Sequence, residues 1–270
     1  MIIGDKDFNL DGHTYVMGIL NVTPDSFSDG GRWNDVDKAL FKAEEMIKDG
    51  AAIIDVGGES TRPGYEKISD EEEIERTVPV IAAIKERFDT VVSVDTYKSA
   101  VAAACADAGV DLINDIWGLK YDGTMAKVIA EKNLACCLMH NRKQPEYDSY
   151  VKGVINDLKE SVDLALDAGI HKERIILDPG VGFAKTPEQN LEIMAHSEAL
   201  KVLGFPILLG TSRKSVIGYV LDTPVNERLE GTLATTVMAV MQGYAFVRVH
   251  DVKENVRAIK MTEAVLKYNK

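Results

Sequence analysis

In Tyr15-Val-Met-Gly-Ile-Leu-Asn-Val-Thr-Pro-Asp-Ser-Phe-Ser-Asp-Gly-Gly31, an apolar segment runs directly into a polar loop. Tyr15 to Val22 is apolar and partly β-branched, which predicts a strand, and Thr23-Pro24 ends it. The loop then places the Asn21 amide and the Asp25 carboxylate beside two serine hydroxyls and the Phe27 ring. Such a loop suits a metal or an aromatic ligand, and it equally suits a polar connection that caps the next helix.

The composition predicts a globular protein without non-specific affinity for polyanions. With 270 residues and 46% hydrophobic residues, the chain fits one large α/β barrel or two small domains. Its 31 basic and 43 acidic side chains give a net charge of −12. That charge repels nucleic acids and anionic membranes at long range, so an anionic ligand requires a local basic cluster.

The N-terminal segment and the cysteines both indicate a cytoplasmic protein. Met1 to Asp11 has no basic region followed by an apolar one, and no apolar run approaches the roughly 18 residues of a membrane span. Cys105, Cys136 and Cys137 show no metal-binding spacing and no disulfide framework. We expect them to be buried thiols that pack as small apolar side chains.

An alternation of buried strands and amphipathic helices predicts the fold. After a short extended pair within Ile2 to Thr14, eight strand–helix units follow without a linker, which predicts one TIM (β/α)8 barrel over residues 1–270 with a short N-terminal β-hairpin. An open, doubly wound sheet is the structural alternative. The predicted strands are Tyr15 to Val22, Ile53 to Gly57, Val91 to Asp95, Leu112 to Ile116, Leu134 to Met139, Ile175 to Leu177, Ile207 to Leu209 and Phe246 to Val249. The predicted helices include Val36 to Lys48, Asp70 to Arg87, Lys98 to Ala108, Val151 to Ala168, Pro187 to Leu203, Val225 to Gln242 and Val252 to Tyr268.

The polar residues lie where a barrel places its active site, at the carboxyl ends of the strands. Three of them, Asp95, Asn114 and Asp178, suit a planar heterocycle that presents N–H donors beside a carbonyl, such as the edge of a pterin. The alternative is that they cap helices or close the barrel rim. Asp55, Asp111 and Asp115 are interpreted as structural or solvated.

A basic cluster follows the last two strands. Lys214 and Ser215 come after the seventh strand, and Arg248 and His250 lie on the eighth, where TIM barrels frequently bind phosphate. A helix that begins near Ser215 adds oriented N–H groups. The alternative is an ion-pair network with Asp251 or Asp222. The other histidines, including His140, are assigned to the surface or to packing.

The loop Ser60-Thr-Arg-Pro-Gly64 follows the second strand. Its Pro-Gly turn predicts a loop that moves and closes over the site together with the loop from Asp25 to Gly31. Closure would place Arg62 near an anionic substrate. A static surface loop is the alternative.

An ordered set of motifs resembles the dihydropteroate synthases, the folate-pathway enzymes that sulfonamides target. The first is the Asn21 to Gly31 run, and no departure occurs at a position that the family uses. The others are Asp55-Val-Gly-Gly-Glu-Ser-Thr-Arg-Pro-Gly64, Val94-Asp-Thr-Tyr-Lys98, Ile113-Asn-Asp-Ile116, Leu138-Met-His-Asn-Arg142, Asp178-Pro-Gly-Val-Gly-Phe-Ala-Lys-Thr186, Gly210-Thr-Ser-Arg-Lys-Ser215 and Val247-Arg-Val-His-Asp-Val252.

The resemblance implies condensation of 6-hydroxymethyl-7,8-dihydropterin diphosphate with 4-aminobenzoate by an SN1-like reaction that releases diphosphate. It also implies a homodimer and a Mg²⁺ ion bound through Asn21. The residues expected to bind pterin and diphosphate are Thr61, Asp95, Asn114, Asp178, Lys214, Arg248 and His250. Those expected at 4-aminobenzoate are Phe27, Thr61, Arg62, Pro63, Phe183 and Ser215. Asp25, Lys214, Arg248 and His250 are the expected catalytic residues, with Asp25 offsetting positive charge on the methylene carbon.

Two other functions stay open from the sequence. A methyltetrahydrofolate:corrinoid methyltransferase would use a similar pterin pocket but needs no diphosphate cluster. A non-catalytic pterin-binding barrel would retain the pocket without turnover.

Overall fold

The computed structural model describes residues 1–23, 32–59 and 67–269. Its first element is the predicted hairpin, in which β1 (Ile2–Ile3) pairs antiparallel with β2 (Lys6–Asp7). Ile3 and Phe8 are buried against Phe246 and other residues inside the barrel. The hairpin therefore closes the amino-terminal end of the barrel.

Eight parallel strands form the barrel in the described part of the chain. The strands are β3 (Tyr15–Asn21), β4 (Ile53–Gly57), β5 (Val91–Asp95), β6 (Leu112–Asp115), β7 (Ala135–Met139), β8 (Ile175–Asp178), β9 (Leu208–Leu209) and β10 (Phe246–Val249). The order around the sheet is β8-β7-β6-β5-β4-β3-β10-β9, and a parallel bridge between Leu177 and Ile207 joins its two ends. The predicted TIM barrel is confirmed, and the open sheet is wrong.

Helices cover the outside of the barrel and agree with the prediction except in three places. The predicted helix from Pro187 to Leu203 is a helix followed by a 3-10 segment, Ser197–Leu203, because the backbone at His196 leaves the helical region. The predicted helix from Val225 begins as a 3-10 turn, and the helix at Met125–Glu131 was not among those given bounds in the prediction. The helices are α1 (Arg32–Asp49), α2 (Asp70–Arg87), α3 (Ser99–Asp107), α4 (Met125–Glu131), α5 (Tyr150–Asp167), α6 (Pro187–Ala195), α7 (Ser215–Leu221), α8 (Leu229–Met241) and α9 (Val252–Leu266). Among the described residues, no helix is long and apolar enough to cross a membrane.

The two-residue period of the strands separates the interior of the barrel from the layer beneath the helices. Cys136 packs in the outer core and Cys137 in the inner one, and both are buried as expected, as is Cys105. On β4, Ile53 faces the interior and Ile54 faces the helices. The inward-facing positions are apolar at the start of each strand and become polar toward its carboxyl end. The polar ones include Asp55, Asp95, Asn114, Asp178 and Arg248.

Candidate active site

Arg248 connects carboxylates across the mouth of the barrel. Its Nε donates a 2.6 Å hydrogen bond to Asp55 Oδ2, and its Nη2 donates one of 2.6 Å to Asp95 Oδ2. The Asn114 amide lies 3.4 Å from the same oxygen of Asp55. Strands β4, β5, β6 and β10 thus supply one network of polar side chains, and Asp95 and Asn114 are brought together as predicted.

Asp55 belongs to this network, although the sequence analysis did not assign it to the site. It is fully buried, so the solvated interpretation is wrong for this residue. The signal was a charged residue in an otherwise apolar strand, two residues beyond the inward-facing Ile53. Asp111 and Asp115 are structural as expected: the first pairs with Lys85, and the second accepts backbone N–H groups of the following turn.

Two carboxylate oxygens in this network lack hydrogen-bond donors within the described residues. Oδ1 of Asp55 and Oδ1 of Asp95 are both buried. Burial raises the pKa of Asp95, and the nearby Asp55 raises it further, while Arg248 opposes the change. Because buried acceptors are normally satisfied, these atoms indicate a site for a ligand with N–H donors or for a proton.

Asp178 and Lys214 lie close to each other and to Arg248 around Gly210. A Cβ built on Gly210 would lie 3.4 Å from Asp178 Oδ2, 3.9 Å from Lys214 Nζ and 4.0 Å from Arg248 Cβ. The glycine therefore leaves room for about one methyl group, bordered by three predicted site residues. Burial lowers the pKa of Lys214 to about 8, although Asp178 favours the charged form. Burial likewise raises the pKa of Asp178.

An apolar surface adjoins these charges. Tyr97, Ile116 and Met139 are buried together, with Trp117 and Phe183 packed against them. The Phe183 ring centre lies 4.7 Å from Lys214 Nζ, and the same Nζ donates a hydrogen bond to the Val181 carbonyl. A flat, aromatic ligand would thus contact rings on one side and charged groups on the other.

The remaining described site residues lie at the rim. Asn21 ends β3, and a Cβ built on Gly57 would be 3.4 Å from its Oδ1 and 4.0 Å from Asp95 Oδ2. His250 Nδ1 is 3.0 Å from Ser212 Oγ. Ser215 is exposed and is the first residue of α7. Arg213, which was not assigned to the site, pairs with Asp251. Arg248 pairs instead with Asp55 and Asp95, so the predicted ion pairs with Asp251 or Asp222 are not those of Arg248.

Five predicted site residues lie outside the described residues. They are Asp25 and Phe27 in the first loop, and Thr61, Arg62 and Pro63 in the second. The predicted closure of these two loops lies there as well. Within residues 1–23, 32–59 and 67–269, no group of three or more His, Cys, Asp or Glu side chains is arranged to hold a metal ion.

Comparison with known proteins identifies the family. The family model described as pterin binding enzyme matches residues 17–250. The dihydropteroate synthase of Clostridium beijerinckii is 61% identical over 99% of this chain and 100% of its own length. The chain belongs to the dihydropteroate synthase family.

Solved members share the fold closely. The dihydropteroate synthase of Clostridium difficile, crystallised in the presence of pteroic acid, has 50% identity, a TM-score of 0.92 and coverage of 94% of this chain and 97% of its own. The Xanthomonas albilineans enzyme with 4-aminobenzoic acid has 39% identity, a TM-score of 0.91 and coverage of 95% and 94%. As a member of this family the enzyme is a transferase, and the alternative of a methyltetrahydrofolate:corrinoid methyltransferase is wrong.

Proposed function

We propose that this enzyme condenses 6-hydroxymethyl-7,8-dihydropterin diphosphate with 4-aminobenzoate, with Asp95, Asn114 and Asp178 binding the pterin. The observation that carries the proposal is the buried Asp95 Oδ1, which has no donor among the described residues and belongs to a carboxylate near the charges of Arg248 and Lys214. The pterin edge supplies N–H donors for such an acceptor. The relatives solved with pteroic acid and with 4-aminobenzoic acid support the two substrates.

The cations account for the leaving group. Arg248 uses two of its five N–H groups for carboxylates, which leaves donors for diphosphate oxygens. Lys214 adds positive charge at the same end of the barrel, and His250 adds a further hydrogen-bond donor there. In the SN1-like reaction the methylene C–O bond breaks, and its electron pair leaves with the diphosphate. Charges that are already in place when that bond breaks lower the barrier without reorganisation.

The second substrate needs little activation. The amine of 4-aminobenzoate is mostly neutral at pH 7, so its nitrogen lone pair forms the new C–N bond and the nitrogen then loses a proton. Phe183 lies against Lys214, and Ser215 follows Lys214 in the chain. We assign both to this substrate with Phe27, Thr61, Arg62 and Pro63. Asp25 offsets positive charge on the methylene carbon, and Thr61 also contacts the pterin diphosphate.

A Mg²⁺ ion fits the rim at Asn21. Its amide oxygen is a hard ligand near Asp95, and Mg²⁺ commonly takes one or two protein ligands together with phosphates and waters. Asn21 would hold the ion, which would supply further neutralisation of the diphosphate.

We further propose one domain over residues 1–270, a cytoplasmic location and a homodimer, with no nucleic-acid or membrane partner. The dimer is supported by exposed apolar side chains on and between α7 and α8. They are Tyr219, Val220, Leu221, Val225, Met238 and Met241. Light scattering at several protein concentrations tests the dimer.

The deciding experiment measures diphosphate release from the pterin diphosphate, with and without 4-aminobenzoate and Mg²⁺, while dihydropteroate is followed. We expect release in step with product and dependent on Mg²⁺. Pterin binding without release under any of these conditions would overturn the proposal and favour a non-catalytic barrel.

A further inference from the structure

The loop at residues 179–186, between β8 and α6, forms one wall around Lys214. Its Val181 carbonyl accepts the Lys214 ammonium, and its Phe183 ring lies 4.7 Å from the same nitrogen. The position of this loop therefore sets the surroundings of a proposed catalytic residue.

The loop backbone needs external support because several residues adopt the left-handed region. Gly180 has φ +69° and Gly182 has φ +88°. Ala184 has φ +44°, which is unfavourable for a residue with a side chain. Contacts from elsewhere in the protein must hold such a conformation.

Lys185, which is part of the loop, makes one such contact with the barrel. Its Nζ donates to the Phe183 carbonyl at 2.9 Å and lies 2.8 Å from His140 Nδ1. His140 follows β7, and its side chain is fully buried. One amino group therefore joins the Phe183 turn to the neighbouring strand end.

His140 is itself held by α5. Its Nε2 lies 3.0 Å from Asp157 Oδ2, and Arg142 binds both oxygens of that carboxylate, at 2.5 and 3.0 Å. Burial alone would raise the pKa of Asp157, but the hydrogen bonds from His140 and Arg142 hold it well below its usual range. The carboxylate is thus charged and accepts the Nε2–H of His140, which leaves Nδ1 as the acceptor for Lys185.

The link persists in either protonation state of the lysine. Burial lowers the pKa of Lys185 to about 7, and burial lowers that of His140 to about 4, so the imidazole is neutral. A neutral amine still has two N–H groups, one for each of the two acceptors.

We propose that Lys185 is a positioning residue that fixes Val181 and Phe183 around Lys214 through its hydrogen bonds to Phe183 and His140. The proposal rests on the function proposed above. The loop also borders two residues assigned to the pterin, because Gly180 N–H donates to Asp178 Oδ1 at 2.6 Å and Lys214 Nζ lies against Phe183. We expect the smaller effect on the pterin, because Asp95 and Asn114 also bind it, from strands β5 and β6.

The test uses Lys185→Met, which keeps most of the side-chain volume and removes the donors. We expect the KM for 4-aminobenzoate to rise at least tenfold, while the Kd of the pterin diphosphate, measured by calorimetry without the second substrate, changes less than threefold. Hydrogen exchange followed by mass spectrometry should increase in residues 180–184 and stay unchanged in β4 and β5. An unchanged KM, or an equal loss of pterin affinity, would overturn the proposal.

Partner variants separate a specific link from general loosening. His140→Phe removes the acceptor and should reproduce the KM effect, and His140→Gln, which retains an acceptor and a donor, should restore most of it. If Lys185→Met fails to fold, the two His140 variants alone test the proposal. Tyr147→Phe is the matched control. It removes a 3.1 Å hydrogen bond from the Tyr147 hydroxyl to the Ala184 carbonyl of the same loop, and it leaves the bonds of Lys185 to Phe183 and His140 in place. A Tyr147→Phe variant with an equally raised KM would contradict a specific role for Lys185.

Failure of this inference is distinguishable from failure of the proposed function. A wild-type enzyme that forms no dihydropteroate refutes the function. A wild-type enzyme that forms it, with Lys185→Met kinetics and exchange both unchanged, refutes only the positioning role.

Discussion

Arg248 on β10 donates a 2.6 Å hydrogen bond to Asp95 on β5, across the mouth of the barrel. Two strands, β3 and β4, separate them in the sheet, so the contact closes the site by crossing the interior of the barrel. Asp55 shares the same guanidinium, which leaves two buried carboxylates with one cation between them. The arrangement holds the cation in place before a substrate arrives.

Replacing Arg248 tests both roles of this contact. In Arg248→Ala, Asp55 and Asp95 lose their shared partner, and breaking a buried pair of this kind costs about 3–5 kcal/mol of unfolding free energy. Diphosphate release should fall nearly to zero because the leaving group loses its main ligand. Urea denaturation and the release assay measure the two effects.

A second variant separates stability from catalysis. In Arg248→Ala with Asp55→Asn, one uncompensated charge is gone, so part of the lost stability should return while activity stays near zero. Recovery of activity in this double variant would contradict the assignment of Arg248 to the diphosphate.

Lys214 should produce an alkaline limb in the pH profile. Its pKa is lowered to about 8 by burial, so the fraction that is charged falls above that pH. If the ammonium binds the substrates, kcat/KM for 4-aminobenzoate should fall about tenfold per pH unit well above pH 8. Initial rates between pH 6.5 and 10 measure it.

Lys214→Arg is the control for that limb, because Lys185 titrates nearby with a pKa of about 7. Arginine stays charged throughout this range. The variant should have a lower rate but no decline near pH 8. The same decline in both enzymes would assign it to another group.

Gly210→Ala tests whether the space between Asp178, Lys214 and Arg248 belongs to the ligand. The new methyl group would meet these residues at 3.4–4.0 Å, which are ordinary contacts, so the free protein should fold normally. The methyl would nevertheless occupy the space that the three groups border. We expect pterin diphosphate affinity to fall more than about tenfold, or about 1.4 kcal/mol, with the melting temperature unchanged. Calorimetry showing wild-type affinity would place the ligand elsewhere.

The sequence allowed the barrel and much of its mouth to be predicted because both depend on local periodicity. Asp95, Asn114, Asp178 and Arg248 each lie at or next to the carboxyl end of an apolar strand, and in parallel strands these ends meet at one edge. Asp55 was not predicted to be a site residue because it lies in the middle of β4, where a charged residue is usually interpreted as structural. Strand alternation from Ile53 would have placed it in the interior.

The hydrogen bonds that support the site from outside could not be predicted from the sequence. His140 was assigned to the surface or to packing, yet it joins Lys185, 45 residues away, to Asp157 on α5. Such a chain depends on side-chain rotamers and on how neighbouring strand ends are spaced after the barrel closes. Neither leaves a period or a motif in the sequence.

His140 should make stability depend on pH in a defined window. Its folded pKa of about 4 lies below the unfolded value of 6.5, so the unfolded chain takes up a proton first as the pH falls. The stabilisation that comes from a neutral His140 in the folded state is fully present above pH 6.5. It is lost as the pH falls through 4, and the total loss is about 3 kcal/mol of unfolding free energy. Other buried groups, including Asp95, titrate in the same range, so the comparison must be with His140→Gln, which cannot titrate. Relative to wild type, that variant should gain stability between pH 6.5 and 4 in urea denaturation, and a constant difference across this range would show that His140 does not carry the dependence.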